Sequence, residues 1–147
     1  MDRLIFPSFE YRFRENDGKK TIFDVIRRKF LVLTPEEWVR QHLIHYLINT
    51  LKYPKSLISV EDGMKVNKMI KRSDVIVYNQ KGEIFLLVEC KSIYIKLTQK
   101  SMDQVSMYNQ KYKAKYIAIT NGLEVYTCKM DYENKRVQFL SEFPEFE

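Results

Sequence analysis

The sequence predicts an α/β fold: a central mixed sheet with helices on both sides, followed by a terminal hairpin. Three observations carry that prediction. Lys115-Tyr-Ile-Ala-Ile-Thr120 is a compact strand, nearly all apolar at Ile117-Ala-Ile119, as interior strands of mixed sheets are, and helices must then cover it. Two stretches, from Thr34 and from Thr98 to Tyr112, have helical apolar spacing. Asp74-Val-Ile-Val-Tyr78 and Ile84-Phe-Leu-Leu-Val-Glu89 flank a short Asn79-Gln-Lys-Gly-Glu83 link that suits a hairpin.

The remaining elements follow in order. Phe9 to Phe30 alternates around an Asp17-Gly18 turn, which predicts an N-terminal hairpin, with Arg27 to Leu33 as a further short extended stretch. In Thr34-Pro-Glu-Glu37, threonine can cap a helix, proline suits its first position and Glu37 can complete a capping box. Val39, Leu43, Tyr46, Leu47 and Leu51 continue at helical spacing until Tyr53-Pro54 stops the helix. Leu57 to Asp62 reads as a strand, Gly63 permits a bend, and Met64-Lys-Val66 is a candidate continuation. Asn121-Gly122 closes the apolar strand, and Leu123 to Met130 with Lys135 to Leu140 form the terminal hairpin. With no repeat or linker, one domain is expected over residues 1–147: a β extension (1–33), a core (34–122) and a C-terminal hairpin and tail (123–147).

Composition narrows the class. A chain of 147 residues can bury roughly two thirds of its unfolded surface. Its 45% hydrophobic content and only four glycines and four prolines predict a chain folded almost throughout. No apolar run reaches the roughly 20 residues a bilayer requires, so a cytoplasmic protein is expected. Cys90 and Cys128 have no Cys-x-x-Cys spacing and read as buried thiols. His42 and His45, three apart, lack the further ligands of a zinc set. The formal charge of +6, from 25 basic against 19 acidic residues, suits a polyanionic partner. Lys65, Lys68, Lys71 and Arg72 precede Asp74, while Lys96, Lys100, Lys111, Lys113 and Lys115 follow Lys91. Such flanking charge draws in a phosphate backbone. A solvated basic face is the plain alternative.

The chemistry concentrates at Asp74 and at Glu89-Cys90-Lys91. Alternation puts Glu89 and Lys91 on one strand face and Cys90 on the other, toward the core. A charge ending a run of five apolar residues, Ile84 to Val88, costs free energy unless it is compensated, and a cation would compensate it. Asp74 and Glu89 would each give Mg²⁺ one carboxylate oxygen, with the backbone carbonyl of Cys90 beside them. Mn²⁺ is an expected substitute. Lys91 would orient the attacking water and stabilise the transition state. Arg40, three residues after Glu37, can pair with it or reach a phosphate. Gln104 and Tyr108, four apart, share one helix face.

Together, Leu33-Thr-Pro-Glu-Glu-Trp-Val-Arg40, Arg72-Ser-Asp74, Val88-Glu-Cys-Lys91, Gln104-Val-Ser-Met-Tyr108 and Ile119-Thr-Asn-Gly122 resemble the PD-(D/E)xK nuclease superfamily, and within it the N-terminal nuclease domain of type I restriction enzyme R subunits. The resemblance covers most of the chain. It implies a restriction-endonuclease-like three-layer core in the order helix-strand-strand-strand-helix-strand, and Mg²⁺-dependent DNA cleavage. It also implies Asp74 as first catalytic aspartate, Glu89 as second acid and Lys91 as catalytic lysine. Glu37 would be a first-helix acid directed at the metal, and Gln104 and Tyr108 would position DNA; by their charge, Arg40, Arg72 and Lys100 are further candidate DNA contacts. Ser73 departs from the proline of the superfamily name. The chain has no Gly-x-x-x-x-Gly-Lys-Ser/Thr phosphate loop and so encodes no motor. It is expected to act alone, self-associate or borrow specificity from a translocase or specificity partner. Two other readings stand beside the deoxyribonuclease: a non-cleaving DNA-binding or assembly module of the same fold, and a nuclease acting on RNA or single strands, with Tyr78, Tyr94, Tyr108 and Tyr112 as stacking candidates.

Overall fold

In the computed structural model, which describes residues 3–61 and 74–147, the alternating segments pair into two sheets. Strands β1 (Phe13–Asn16), β2 (Lys19–Asp24) and β3 (Lys29–Val32) form an antiparallel sheet in chain order. The β1–β2 turn is the expected one: Asp17 and Gly18 take φ of 51° and 75°, the paired positive angles of a two-residue hairpin. The stretch after Arg27, expected only as extended chain, supplies the third strand because Phe30 and Leu31 pair with Phe23 and Ile22.

The second sheet holds β4 (Ile58–Glu61), β5 (Asp74–Tyr78), β6 (Ile84–Cys90), β7 (Tyr116–Thr120), β8 (Val125–Asp131) and β9 (Arg136–Leu140), again in chain order. Every pair is antiparallel except β6 with β7. A parallel pair needs a crossover, and α2 (Gln99–Tyr112) provides it. The expected terminal hairpin is β8–β9, which extends the main sheet through β7. The expected continuation at Met64–Val66 and the basic residues Lys65, Lys68, Lys71 and Arg72 lie outside the described residues.

Helix α1 (Pro35–His45) begins where the sequence predicts and runs on as one π-helical turn, Tyr46–Thr50. Thr34 Oγ1 accepts from the Glu37 N–H at 3.0 Å, while the Thr34 N–H donates to Val32 O at 3.0 Å. Only half of the expected capping box is needed, which leaves the Glu37 carboxylate available elsewhere. At α2 the reciprocal box forms between Thr98 and Ser101, and Lys113 closes the helix at φ 51°.

The helices cover opposite faces of the large sheet. Val39 and Leu43 of α1 and Leu47 of the π-helical turn pack with Val75, Val77, Phe85, Leu86, Val88, Cys90 and Ala118. On the other face, Met102 and Val105 of α2 pack with Ile76, Leu87, Ile117, Ile119 and Cys128. Each such aliphatic side chain contributes about 1.5–3 kcal/mol when fully buried. Burial also pushes the Cys128 thiol up to about 11, consistent with an inert core cysteine. His42 and His45 likewise belong to packing. His42 Nδ1 lies 2.8 Å from Trp38 O, and His45 stacks on Phe9 with ring centroids 4.0 Å apart.

Two close approaches fix the N-terminal segment. Gly122 has φ +86°, and a Cβ there would lie 2.9 Å from Leu4 Cδ2 and 3.1 Å from Val39 Cγ2. Gly122→Ala is therefore expected to lower stability by about 1–3 kcal/mol, read as a lower urea midpoint at unchanged slope. For the imidazoles, burial lowers the pKa of both His42 and His45 below 6.5, outweighing the opposing Trp38 carbonyl and Asp24 charge. Their neutral forms favour the folded state, so that stability is fully present above pH 6.5 and declines as pH falls below it. Urea titrations from pH 8 to 5 should show this decline begin near 6.5; imidazole titration by NMR at or above 6.5 would contradict the assignment.

Candidate active site

The link between β5 and β6 is tied by one asparagine. Asn79 Oδ1 accepts from the N–H groups of Lys81 and Glu83, both at 2.9 Å, and the Asn79 N–H donates to Glu83 O at 2.8 Å. Gly82, at φ +80°, completes the turn. A register shift follows, since Tyr78 pairs with Ile84 but Val77 pairs with Leu86. The extra residue lets Phe85 and Leu86 both enter the core under α1 and resets the alternation beyond them. Val88 and Cys90 then join the α1 face and Leu87 the α2 face, which assigns Glu89 to the latter.

That register sets Asp74 directly opposite Glu89. On the other side of β5, Glu61 stands directly opposite Asp74. Three acidic positions thus lie in a row across β4, β5 and β6, on strands spaced about 4.8 Å apart. Glu61 was not singled out by the sequence: its register depends on how the chain returns after residues 62–73, and no spacing rule reaches across that interval.

Glu89 is 2% exposed, and Lys91 Nζ lies 3.2 Å from its Oε1. At an effective dielectric of about 20 the gross attraction is about 5 kcal/mol, much of it offset by desolvation. The Lys91 N–H donates to Thr120 O at 2.8 Å, which clamps the end of β6 against β7. Cys90 is fully buried on the opposite face, as the alternation predicts.

Glu37 and Arg40 occupy the α1 side. Glu37 is 6% exposed. Its Oε1 pairs with Arg40 Nη1, and its Oε2 accepts from Arg27 Nη2 at 2.7 Å and Gln41 Nε2 at 2.9 Å. Arg40 is 4% exposed and also donates from Nη2 to Glu36 at 3.1 Å. Burial alone would lower the Arg40 pKa, but the charges of Glu37, Cys90 and Glu36 outweigh it and raise it. The structure thus places the expected metal acid and the expected phosphate contact in one buried ion network. α1 packs on the Val88–Cys90 face of β6, with Glu89 assigned to the other.

The crossover direction sorts the basic residues. Since β6 and β7 are parallel, α2 starts at the Glu89 end and returns to the far end. Exposed Lys100 and half-buried Gln104 lie in its first half; Tyr108 follows Gln104 by one turn on the backbone. Lys113 and Lys115 do not flank the acids as expected. The Lys115 N–H donates to Ile84 O at 3.1 Å, about 17 Å along β6 from Glu89, and its ammonium pairs with Glu147. Among the described residues no three His, Cys, Asp or Glu side chains gather as a metal set; the Asp74 and Glu61 side chains are not among them.

A mixed sheet between two helices, with an acid, an acid and a lysine at one end of adjacent antiparallel strands, defines a restriction-endonuclease-like fold. The model of the family described as type I restriction enzyme R protein N terminus matches residues 35–144. The chain belongs to that family, and so is a restriction-enzyme-related nuclease domain by descent. No curated protein and no solved structure gives a significant match. Residues 3–34, including all of β1–β3, precede the matched stretch.

The ion network makes a measurable claim. Glu37→Ala would leave buried Arg40 and half-buried Arg27 without their shared carboxylate, though each keeps an outer partner in Glu36 or Asp24, and is expected to lower stability by about 2–3 kcal/mol in urea unfolding. An unchanged midpoint would show the carboxylate to be free for another ligand.

Proposed function

We propose that the protein is a divalent-metal-dependent deoxyribonuclease in which Asp74, Glu89 and Lys91 act on the scissile phosphodiester. The observation that carries this reading is the direct Asp74–Glu89 register, with Lys91 Nζ 3.2 Å from Glu89 Oε1. Carboxylates and a backbone carbonyl are hard oxygen donors, which fit Mg²⁺, with Mn²⁺ as its substitute. When bound, that cation supplies an acidified water and a polarised phosphate.

The chain's own groups do the rest. Asp74 and Glu89, directly opposite each other, would hold the cation, with the Cys90 carbonyl and Glu61, opposite Asp74, as further candidate oxygen donors. Glu37 supports this end from beneath α1, through Arg40. Lys91, its Nζ 3.2 Å from Glu89 Oε1, would turn its ammonium to the charge that develops on the phosphoryl oxygens. Lys100, Gln104 and Tyr108 on α2, with Arg72 ahead of Asp74, take the DNA backbone and orient it. A specificity partner, a translocase partner or a second copy of the chain supplies sequence choice. Among the described residues no helix is long and apolar enough to cross a membrane.

The test is cleavage of supercoiled, linear and single-stranded DNA and of RNA, with Mg²⁺, Mn²⁺ or EDTA. Glu89→Gln and Lys91→Ala are each expected to reduce the rate by about 10²–10⁴-fold, and Asp74→Ala to weaken Mn²⁺ binding in calorimetry. Cleavage surviving both substitutions would remove these residues from the mechanism. Binding of DNA without cleavage under every metal would favour the non-cleaving module, and preference for RNA or single strands would redirect the substrate.

A further inference from the structure

The N-terminal sheet has two unlike faces. Ile22 and Asp24, both fully buried, turn one face of β2 toward the body of the protein. Asp24 Oδ1 accepts from the N–H groups of Ile26 at 2.7 Å and Arg27 at 3.0 Å, and its Oδ2 from Arg27 Nε at 2.6 Å. Burial would raise this carboxyl, but the Arg27 and Ile26 donors and the Arg27 charge outweigh it and hold it below its ordinary value. Arg27 continues to Glu37 and Glu37 to Arg40 on α1, the helix whose Val39 and Leu43 pack in one core with Cys90 of β6. A chain of buried contacts therefore ties this sheet to the end of β6 that carries Glu89.

The register places Arg14, Thr21 and Val32 in one row of the opposite face, with Lys19, Phe23 and Phe30 at alternate positions beside them; Arg12, just before β1, accepts at its carbonyl from the Phe23 N–H at 2.9 Å. Arg12, Arg14 and Lys19 are exposed. The Arg12 guanidinium lies 4.3 Å over the Phe23 ring and that of Arg14 lies 4.2 Å over Phe30. These rings hold the guanidiniums flat and already ordered, so less side-chain entropy remains to be lost when their N–H forks meet an anion. The other strand positions on this face, Asn16, Thr21 and Val32, are uncharged. Among the described residues no carboxylate pairs with Arg12, Arg14 or Lys19.

We propose that this outer face, formed by Arg12 just before β1, Arg14 of β1 and Lys19 of β2, and backed by Phe23 and Phe30, is a second DNA contact that takes the phosphate backbone away from the cleavage site. The partner follows from charge: a row of ordered forks with no acid among them fits a repeating phosphate anion. The proposal rests on the DNA reading above and extends it to a part of the chain that precedes the family match.

The experiment is fluorescence anisotropy of a short labelled duplex across a salt series in EDTA, where cleavage does not enter. The double variant Arg12→Glu/Arg14→Glu is expected to weaken binding more than tenfold. It should also reduce the slope of log K against log salt by about 2, at near 0.9 for each phosphate no longer neutralised. Arg12→Lys/Arg14→Lys should keep most of the slope. Should the double charge reversal unfold the sheet, Lys19→Glu decides, because no ring contact holds that side chain: a slope smaller by about 1 supports the surface. Unchanged affinity and slope in Lys19→Glu and in a folded double variant would overturn it. Polyglutamate competing as well as unlabelled duplex would also overturn it, in favour of an acidic protein partner. A chain that binds DNA through this face yet cuts nothing would sink the nuclease reading alone; a chain that cuts while these variants bind normally would sink only this surface.

Discussion

The register of β5 on β6 governs what the rest of the molecule can do. It is set locally, by the Asn79 backbone and side chain gathering the turn and by the one-residue shift at Tyr78–Ile84. Because side chains alternate with period two, a slip of one residue would send Glu89 into the α1 core and bring Cys90 to the acidic row. The cost of burying an ionised carboxylate among aliphatic groups makes that slip unfavourable. The same local feature therefore protects the fold and sets Asp74 opposite Glu89.

Two buried ionic systems lie on opposite sides of the large sheet and serve different ends. On the α1 side, Arg27, Glu37, Arg40 and Gln41 satisfy one another and join the N-terminal sheet to the helix. On the other side, Glu89 and Lys91 form a pair at the end of a strand next to Asp74. The first has a full set of protein donors around its carboxylate, which suits a structural joint. The second places like charges on neighbouring strands, an arrangement that by itself costs stability and gains from a cation.

Much of this was legible in the sequence, where the signals were local. Thr34-Pro35 marked a helix start, Asp17-Gly18 a hairpin, and Ile117-Ala-Ile119 a central strand, and each rests on backbone chemistry within a few residues. The alternation that separates Glu89 from Cys90 was equally readable. Long-range pairings were not. Lys115 follows Lys91 in sequence and so was expected to flank the acids, yet the α2 crossover carries it to the far end of β6. Glu37 offered two local readings, a cap or a metal ligand, and the structure engages it with Arg27, whose approach depends on a β2–β3 turn that no helix rule foresees. Glu61 escaped notice for the same reason, since a strand's neighbour is fixed by the return of the chain and not by its own composition. The terminal hairpin was visible as a hairpin, but its joining of the main sheet through β7 was a matter of edge pairing.

The central claim is that Asp74 and Glu89 share one cation at the end of the β5–β6 hairpin. A crystal soaked with Mn²⁺ and measured at an anomalous wavelength tests it most directly. The account requires a single strong peak about 2.0–2.4 Å from a carboxylate oxygen of each residue, with Lys91 still beside Glu89 and Glu37 still held by Arg27 and Arg40. A peak at Glu37 instead, or an Asp74 carboxylate turned away from Glu89 with no metal between them, would contradict it.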